Sequence, residues 1–192
     1  MRDSVKLSNG IVTLTIGLFV GVMVQFAPVL AVAQTAILEE LFAELKSPDV
    51  QDWKTVETKI WKEWEKSGSA AMDLLLERGK EALEEGRVND AINHFSALID
   101  HAPEFAEGWN SRATAFFVAG RYGLSLSDIQ QTLALNPRHF GAMVGLGQIM
   151  ERFEKPKKAL EIYRLALEVH PKRPDVIKAI ERLEKQVEGT SL

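Results

Sequence analysis

The chain has 192 residues, with 23 Lys and Arg against 27 Asp and Glu, a formal charge of −4, 46% hydrophobic and 26% charged residues. That balance fits one packed domain, with or without an appendage, and excludes a disordered chain. Mild acidity argues against nucleic-acid binding, which needs a basic face, and the lack of Cys removes disulfides, thiolate metal sites, cysteine nucleophiles and lipid attachment through sulfur.

Residues 1–33 stand apart from the rest. Arg2 and Lys6 give a positive start, residues 11–24 are uncharged and mostly apolar, and Pro28 and Ala31-Val32-Ala33 precede Gln34. A positive start, an apolar middle and an A-x-A end make a secretory signal peptide, so the mature chain is expected to begin at Gln34. The competing reading is a retained membrane anchor. No charge falls between Lys6 and Glu39, and that stretch is long enough to span a bilayer. Either way the remainder is expected to be exported, with the flank bearing Arg2 and Lys6 left in the cytoplasm.

Residues 34–69 read as a helical pair. Leu38, Leu41, Phe42 and Leu45 form one apolar stripe over 35–46, and Val50, Trp53, Val56, Ile60 and Trp64 form another over 49–66. Ser47-Pro48 breaks the two helices, and Ser67-Gly68-Ser69 marks the junction to the next segment. The pair is either a degenerate repeat or a separate N-terminal cap.

From residue 72 the chain repeats itself. Pro103, Pro137 and Pro171 are 34 residues apart. Each is preceded, at matching distances, by a small residue on a second helix (Ala91, Ser125, Ala159) and a bulky one after it (Phe95, Ile129, Tyr163). Further upstream come a small residue (Gly79, Ala113, Gly147) and a large one (Leu75, Trp109, Met143). Agreement at this many positions over three copies is not chance. The copies are 72–105, 106–139 and 140–173. Small residues let paired helices approach, bulky ones fill the space between repeats, and each Pro stops a second helix. Gly86 and Gly120 sit at inter-helix turns. Residues 174–187 form an amphipathic capping helix, with Val176, Ile177, Ile180, Leu183 and Val187 on one face.

This pattern resembles the tetratricopeptide repeat family, a helix–turn–helix unit of 34 residues. The resemblance implies an all-α fold, an α-solenoid with a concave groove lined by the first helix of each repeat. It puts Leu76, Lys80 and Leu83 from the first repeat on that lining, with Asn110, Thr114 and Phe117 from the second and Val144, Gln148 and Arg152 from the third. Some of the apolar ones could equally be core. Family members that clamp a peptide's C-terminal carboxylate use Lys, Asn and Arg at positions occupied here by Leu76, Lys80, Ser111, Gly141 and Gly145. Only one of the five is basic, so a chaperone-tail clamp is not expected. The sequence departs from the family pattern where Arg78 and Arg112 replace an expected Leu, which implies stems on the core and charges in water. Glu154 stands where the other turns have Gly, followed by Pro156.

No residues suggest catalysis, and no cofactor or metal is expected. His94, His101, His139 and His170 show no paired-ligand spacing and are expected at helix ends near the negative dipole pole. The glycine-rich stretch from Gly141 to Gly147 lies inside a helix in the repeat register, not in a phosphate loop. The expected function is therefore a non-enzymatic protein- or peptide-binding scaffold outside the cytoplasm, periplasmic in a Gram-negative source. Phe117 is its candidate anchor, and nucleic acid is not an expected partner. The alternative is a membrane-anchored assembly subunit that keeps residues 1–33 and docks through Trp53, Trp61 and Trp64.

Overall fold

A computed structural model describes residues 27–189. Most of the signal or anchor segment, residues 1–26, and the tail at 190–192 lie outside the described residues. Among the described residues there are helices and no strands: α1 (Ala27–Lys46), α2 (Trp53–Trp64), α3 (Ala70–Glu84), α4 (Val88–His101), α5 (Ala106–Val118), α6 (Tyr122–Leu135), α7 (Phe140–Arg152), α8 (Pro156–Val169) and α9 (Pro174–Gly189). No described helix is long and apolar enough to cross a membrane.

The helices α3/α4, α5/α6 and α7/α8 form three antiparallel pairs, stacked through α4 on α5 and α6 on α7, with α9 closing on α8. The reason for the small–large alternation is visible in each pair. A Cβ on Gly79 would overlap the Phe95 ring, and one on Gly147 would overlap the Tyr163 ring. In the middle pair, Ala113 meets Ile129, and Ser125 sits close enough to donate its hydroxyl to the Ala113 carbonyl at 2.7 Å. Phe95, Tyr163 and Ile129 are buried at these contacts.

The three inter-helix turns are built alike. The N–H groups of Arg87, Arg121 and Lys155 reach back to the carbonyls of Ala82, Phe116 and Met150, five residues earlier, at 2.7, 2.8 and 2.9 Å. This closing bond requires a left-handed residue just before it. Gly86 and Gly120 supply it at φ 75° and 71°, and in the third turn Glu154 adopts φ 55° in place of glycine. Holding a non-glycine residue there costs on the order of 1 kcal/mol.

Two expectations are corrected. Arg112 does not leave its charge in water. Its guanidinium makes a two-pronged bond to Asp128 on α6 (2.7 and 3.0 Å), donates to Ser96 at 3.2 Å, and lies over the Trp109 ring at 5.0 Å. Asp128 is buried, and a bidentate guanidinium is what a carboxylate needs there. Only Arg78 is exposed as expected. His139 is not near a negative dipole pole. It caps the N-terminus of α7, where its Nδ1 accepts the N–H of Ala142 at 3.1 Å.

The helix boundaries of the N-terminal pair also differ from the sequence reading. The second helix begins at Trp53 because Asp52 caps it, accepting the N–H of Thr55 at 3.2 Å. The first is helical from Ala27, where the described residues start, through Ala33 to Lys46. The two pack on each other, and they do not stack on α3 as a further repeat would. Instead they form a strap along the edge of the solenoid where second helices end and first helices begin.

Candidate functional site

The first helices α3, α5 and α7 lie side by side, and the clefts between them run into one another. The cleft between α5 and α7, about 140 Å³, has Ala113, Phe117, Val144 and Gly145 on its floor and Asn110, Thr114 and Gln148 on its rim. Asn110 and Thr114 also line a cleft toward α3, together with Lys80, Leu83 and Glu84. Phe117 and Gln148 also line one toward α9, together with Glu151, Arg152 and Arg182. Shared residues make this a continuous groove across the array.

The nine lining residues read from the sequence fall into different settings. Asn110, Thr114, Phe117, Val144 and Gln148 come together in the central cleft. Val144 is 8% exposed, so only its edge is open. Phe117 is half-buried, packed on the C-terminal core and edge-on to Tyr122 at 5.3 Å between centroids. Asn110 donates from its amide nitrogen to Glu107 at 3.2 Å, and the Thr114 hydroxyl turns back to the Asn110 backbone carbonyl at 3.0 Å. Gln148 is exposed. Lys80 and Leu83 belong to the α3 side of the groove, where Lys80 pairs with Glu65 of the strap and Leu83 rests on the core. Arg152 belongs to the α9 side, exposed, with its guanidinium 6.0 Å from the Tyr122 ring centroid. Leu76 is 3% exposed and belongs to the core of the first repeat.

Sequence reasoning missed Arg182, which enters the groove from the capping helix and pairs with Glu151 at 2.7 Å. Glu151 also accepts the Tyr163 hydroxyl at 2.8 Å, and burial together with that bond pushes the Tyr163 phenol above its ordinary range. The period of the capping helix marked its buried face but gave no sign of where its polar face would point.

The strap meets the array through aromatic rings. Trp64 stacks on His139 at 4.3 Å between centroids and tilts against Phe140 at 4.9 Å. Trp61 stands edge-on to both and lies where a side chain on Gly141 would be. Trp53 and Phe140 stand edge-on to His170 at 5.5 and 4.9 Å. These tryptophans are engaged within the chain, Trp64 buried and Trp53 and Trp61 partly exposed. Two carboxylate–histidine contacts support the seam, one with a buried carboxylate (Glu107) and one with a half-buried carboxylate (Glu57). His139 Nε2 donates to Glu107 at 3.0 Å, and the same carboxylate accepts the Ser111 hydroxyl at 3.0 Å. Glu57 lies 3.6 Å from His170 and 3.0 Å from Arg173. Burial alone would raise the Glu57 carboxyl, but the His170 ring and the Arg173 guanidinium outweigh it and hold the group below its ordinary value. Arg138 grips Glu39 on α1 with both prongs, at 2.6 and 3.0 Å, over the face of Phe42. Among the described residues no cluster could hold a metal ion.

A tetratricopeptide repeat model matches residues 76–128 and 112–175. A TPR repeat-containing protein of Rhizobium etli is 36% identical over 135 residues, 70% of this chain; this chain spans 66% of that protein's length. Among solved structures, the Sgt2 TPR domain from Aspergillus fumigatus superposes with a TM-score of 0.60 at 19% identity, covering 64% of this chain and 83% of that domain. The first TPR domain of Spaghetti (RPAP3), bound to an HSP90 peptide, gives 0.59 at 21% identity, covering 61% of this chain and 93% of its own. A solenoid of paired helices is the fold these neighbours share. The chain belongs to the tetratricopeptide repeat family.

Proposed function

We propose that this protein is a non-enzymatic interaction module that holds a segment of a protein partner in its concave groove. The observation that carries this reading is the α5/α7 cleft, in which an apolar floor of Phe117 and Val144 is rimmed by the amides of Asn110 and Gln148. Apolar floors give affinity, and amides fix the register of a partner's backbone. The peptide complex of the RPAP3 domain, the same fold, supports a peptide-sized occupant. A chaperone tail gripped by its terminal carboxylate is disfavoured. Leu76 is buried, Lys80 is paired with Glu65, and the Ser111 hydroxyl turns inward to Glu107. The test is cross-linked recovery of the partner from the native envelope fraction, repeated with Phe117→Ala. A hot-spot anchor predicts binding weakened by at least about 2 kcal/mol with helix content retained. Unchanged recovery would place binding elsewhere.

The proposed location is outside the cytoplasm, the periplasm in a Gram-negative source, on the strength of the leader-like residues 1–33. Two forms of the exported chain arise from them. Cleavage after Ala33 frees the array. Retention makes it a membrane-anchored subunit, a reading that rests on the uncharged stretch between Lys6 and Glu39, which is long enough to span a bilayer. Mass measurement of the exported protein distinguishes the forms, since a chain starting at Gln34 excludes the anchor.

A further inference from the structure

The two ends of this groove differ in charge, and that difference bears on the partner's chemistry if the groove is the interaction surface proposed for it. At the α3 end, Glu84 lines the cleft with no ion pair to any described residue. The cation beside it, Lys80, is already held by Glu65. At the α9 end, Arg152 has no carboxylate partner among the described residues, and Arg182 next to it shares Glu151. Between these ends lie the apolar floor and the two rim amides. The geometry points to a partner segment that runs extended along the groove, cationic over Glu84 and anionic over Arg152 and Arg182, with apolar side chains between.

Two features select that occupant. Asn110 and Gln148 offer amide groups to a backbone whose own N–H and C=O are free. An extended chain has such groups, and a helix has already used them. Unpaired charges at the rim discriminate between partners and orient them more than they add raw affinity. The path from Glu84 on α3 to Arg152 on α7 crosses about two helix spacings of 8–10 Å. Extended chain rises about 3.3 Å per residue, so the opposite charges of the partner should stand roughly six residues apart.

The test is a randomised peptide library displayed on phage and panned on the immobilised full chain, on Phe117→Ala, on Arg152→Glu and on Glu84→Lys. The expected result is enrichment of peptides with a basic and an acidic residue roughly six positions apart around an apolar centre, with binding at least about tenfold weaker to Phe117→Ala. Arg152→Glu should exchange the selected acid for a base, and Glu84→Lys should exchange the selected base for an acid. Peptides that depend on Phe117 but show no paired charges, or whose charge preference survives both reversals, overturn the inference and leave the groove standing. Peptides with apolar residues at helical spacing overturn the extended occupant. Enrichment indifferent to Phe117→Ala, or none at all, removes the groove reading itself and this inference with it.

Discussion

Helix α7 belongs to two surfaces of opposite character. Its first turn is sealed: His139 and Phe140 are covered by the tryptophans of the strap, and Trp61 lies over Gly141. Its last turns are open: Gln148 and Arg152 face the groove with amide and guanidinium uncommitted to any described carboxylate. In the sealed region aromatic area is satisfied internally and supports the fold. In the open region the polar groups stay exposed to solvent. Burial separates the two roles within one helix, which residue type alone does not.

The contrast can be broken or sharpened by substitution. The largest effect is expected at the sealed seam. Trp64→Ala should cost about 3–5 kcal/mol, comparable with Phe95→Ala in the repeat core, measured by denaturant unfolding. The two should differ in kind. Trp64→Ala should release α1 and α2 to protease while the repeats stay helical, and Phe95→Ala should lower the stability of the array. If Trp64→Ala leaves both stability and protease resistance unchanged, the strap does not dock as described.

Next comes Gly141→Leu, which must push Trp61 from its place and should cost about 1–3 kcal/mol. Quenching of tryptophan fluorescence by acrylamide should rise as the ring becomes accessible. The same substitution at Gly123, where nothing lies within contact distance, is the control and should leave quenching unchanged. Phe117→Ala is expected to cost less stability than either, on the order of 1 kcal/mol for a half-buried ring edge, while weakening partner capture most. Unfolding by this variant would make Phe117 a core residue and remove it from the groove.

The smallest effect is a pH dependence at the seam. Because the folded-state pKa of Glu57 is lowered, its contribution is present above the ordinary carboxylate value of 4.5 and is lost as pH falls through the lower folded value. Acid unfolding of Glu57→Gln should therefore show a shallower slope in that window than the parent. Coincident acid profiles would mean that the contacts with His170 and Arg173 do not favour the ionised form.

What the sequence made legible comes from repetition. Gly79 with Phe95 and Gly147 with Tyr163 could be paired from spacing alone, because the same steric demand is written at the same interval in each copy. The left-handed turn was readable through Gly86 and Gly120, and Glu154 could be placed by register despite its side chain. The strap lacked that redundancy. Its amphipathic stripes announced two helices, but the surface that receives them is assembled from residues about 100 positions away, such as Arg138 for Glu39 and Arg173 for Glu57, and nothing local encodes such pairs. Arg112 was misread for the same reason on a smaller scale, since Asp128 lies 16 residues on. Of the candidate lining, the family register brought five residues into the central cleft. It could not tell that Leu76 is core or that α9 contributes Arg182, because depth and the direction of the last helix depend on the assembled array.

The strap also changes the order in which the molecule can be completed. A plain solenoid needs only neighbours, so each repeat can close as it leaves the ribosome. Here the first described helices find their seats on His139, Phe140 and His170, which are synthesised about 100 residues later. Until then Trp53, Trp61 and Trp64 travel uncovered, a hazard for self-association during synthesis or passage across a membrane. Joining the first described helices to the third repeat raises the mean sequence separation of contacts, which slows folding relative to an open array of the same length. The gain is that α1 and α2 cannot fray independently of the second and third repeats.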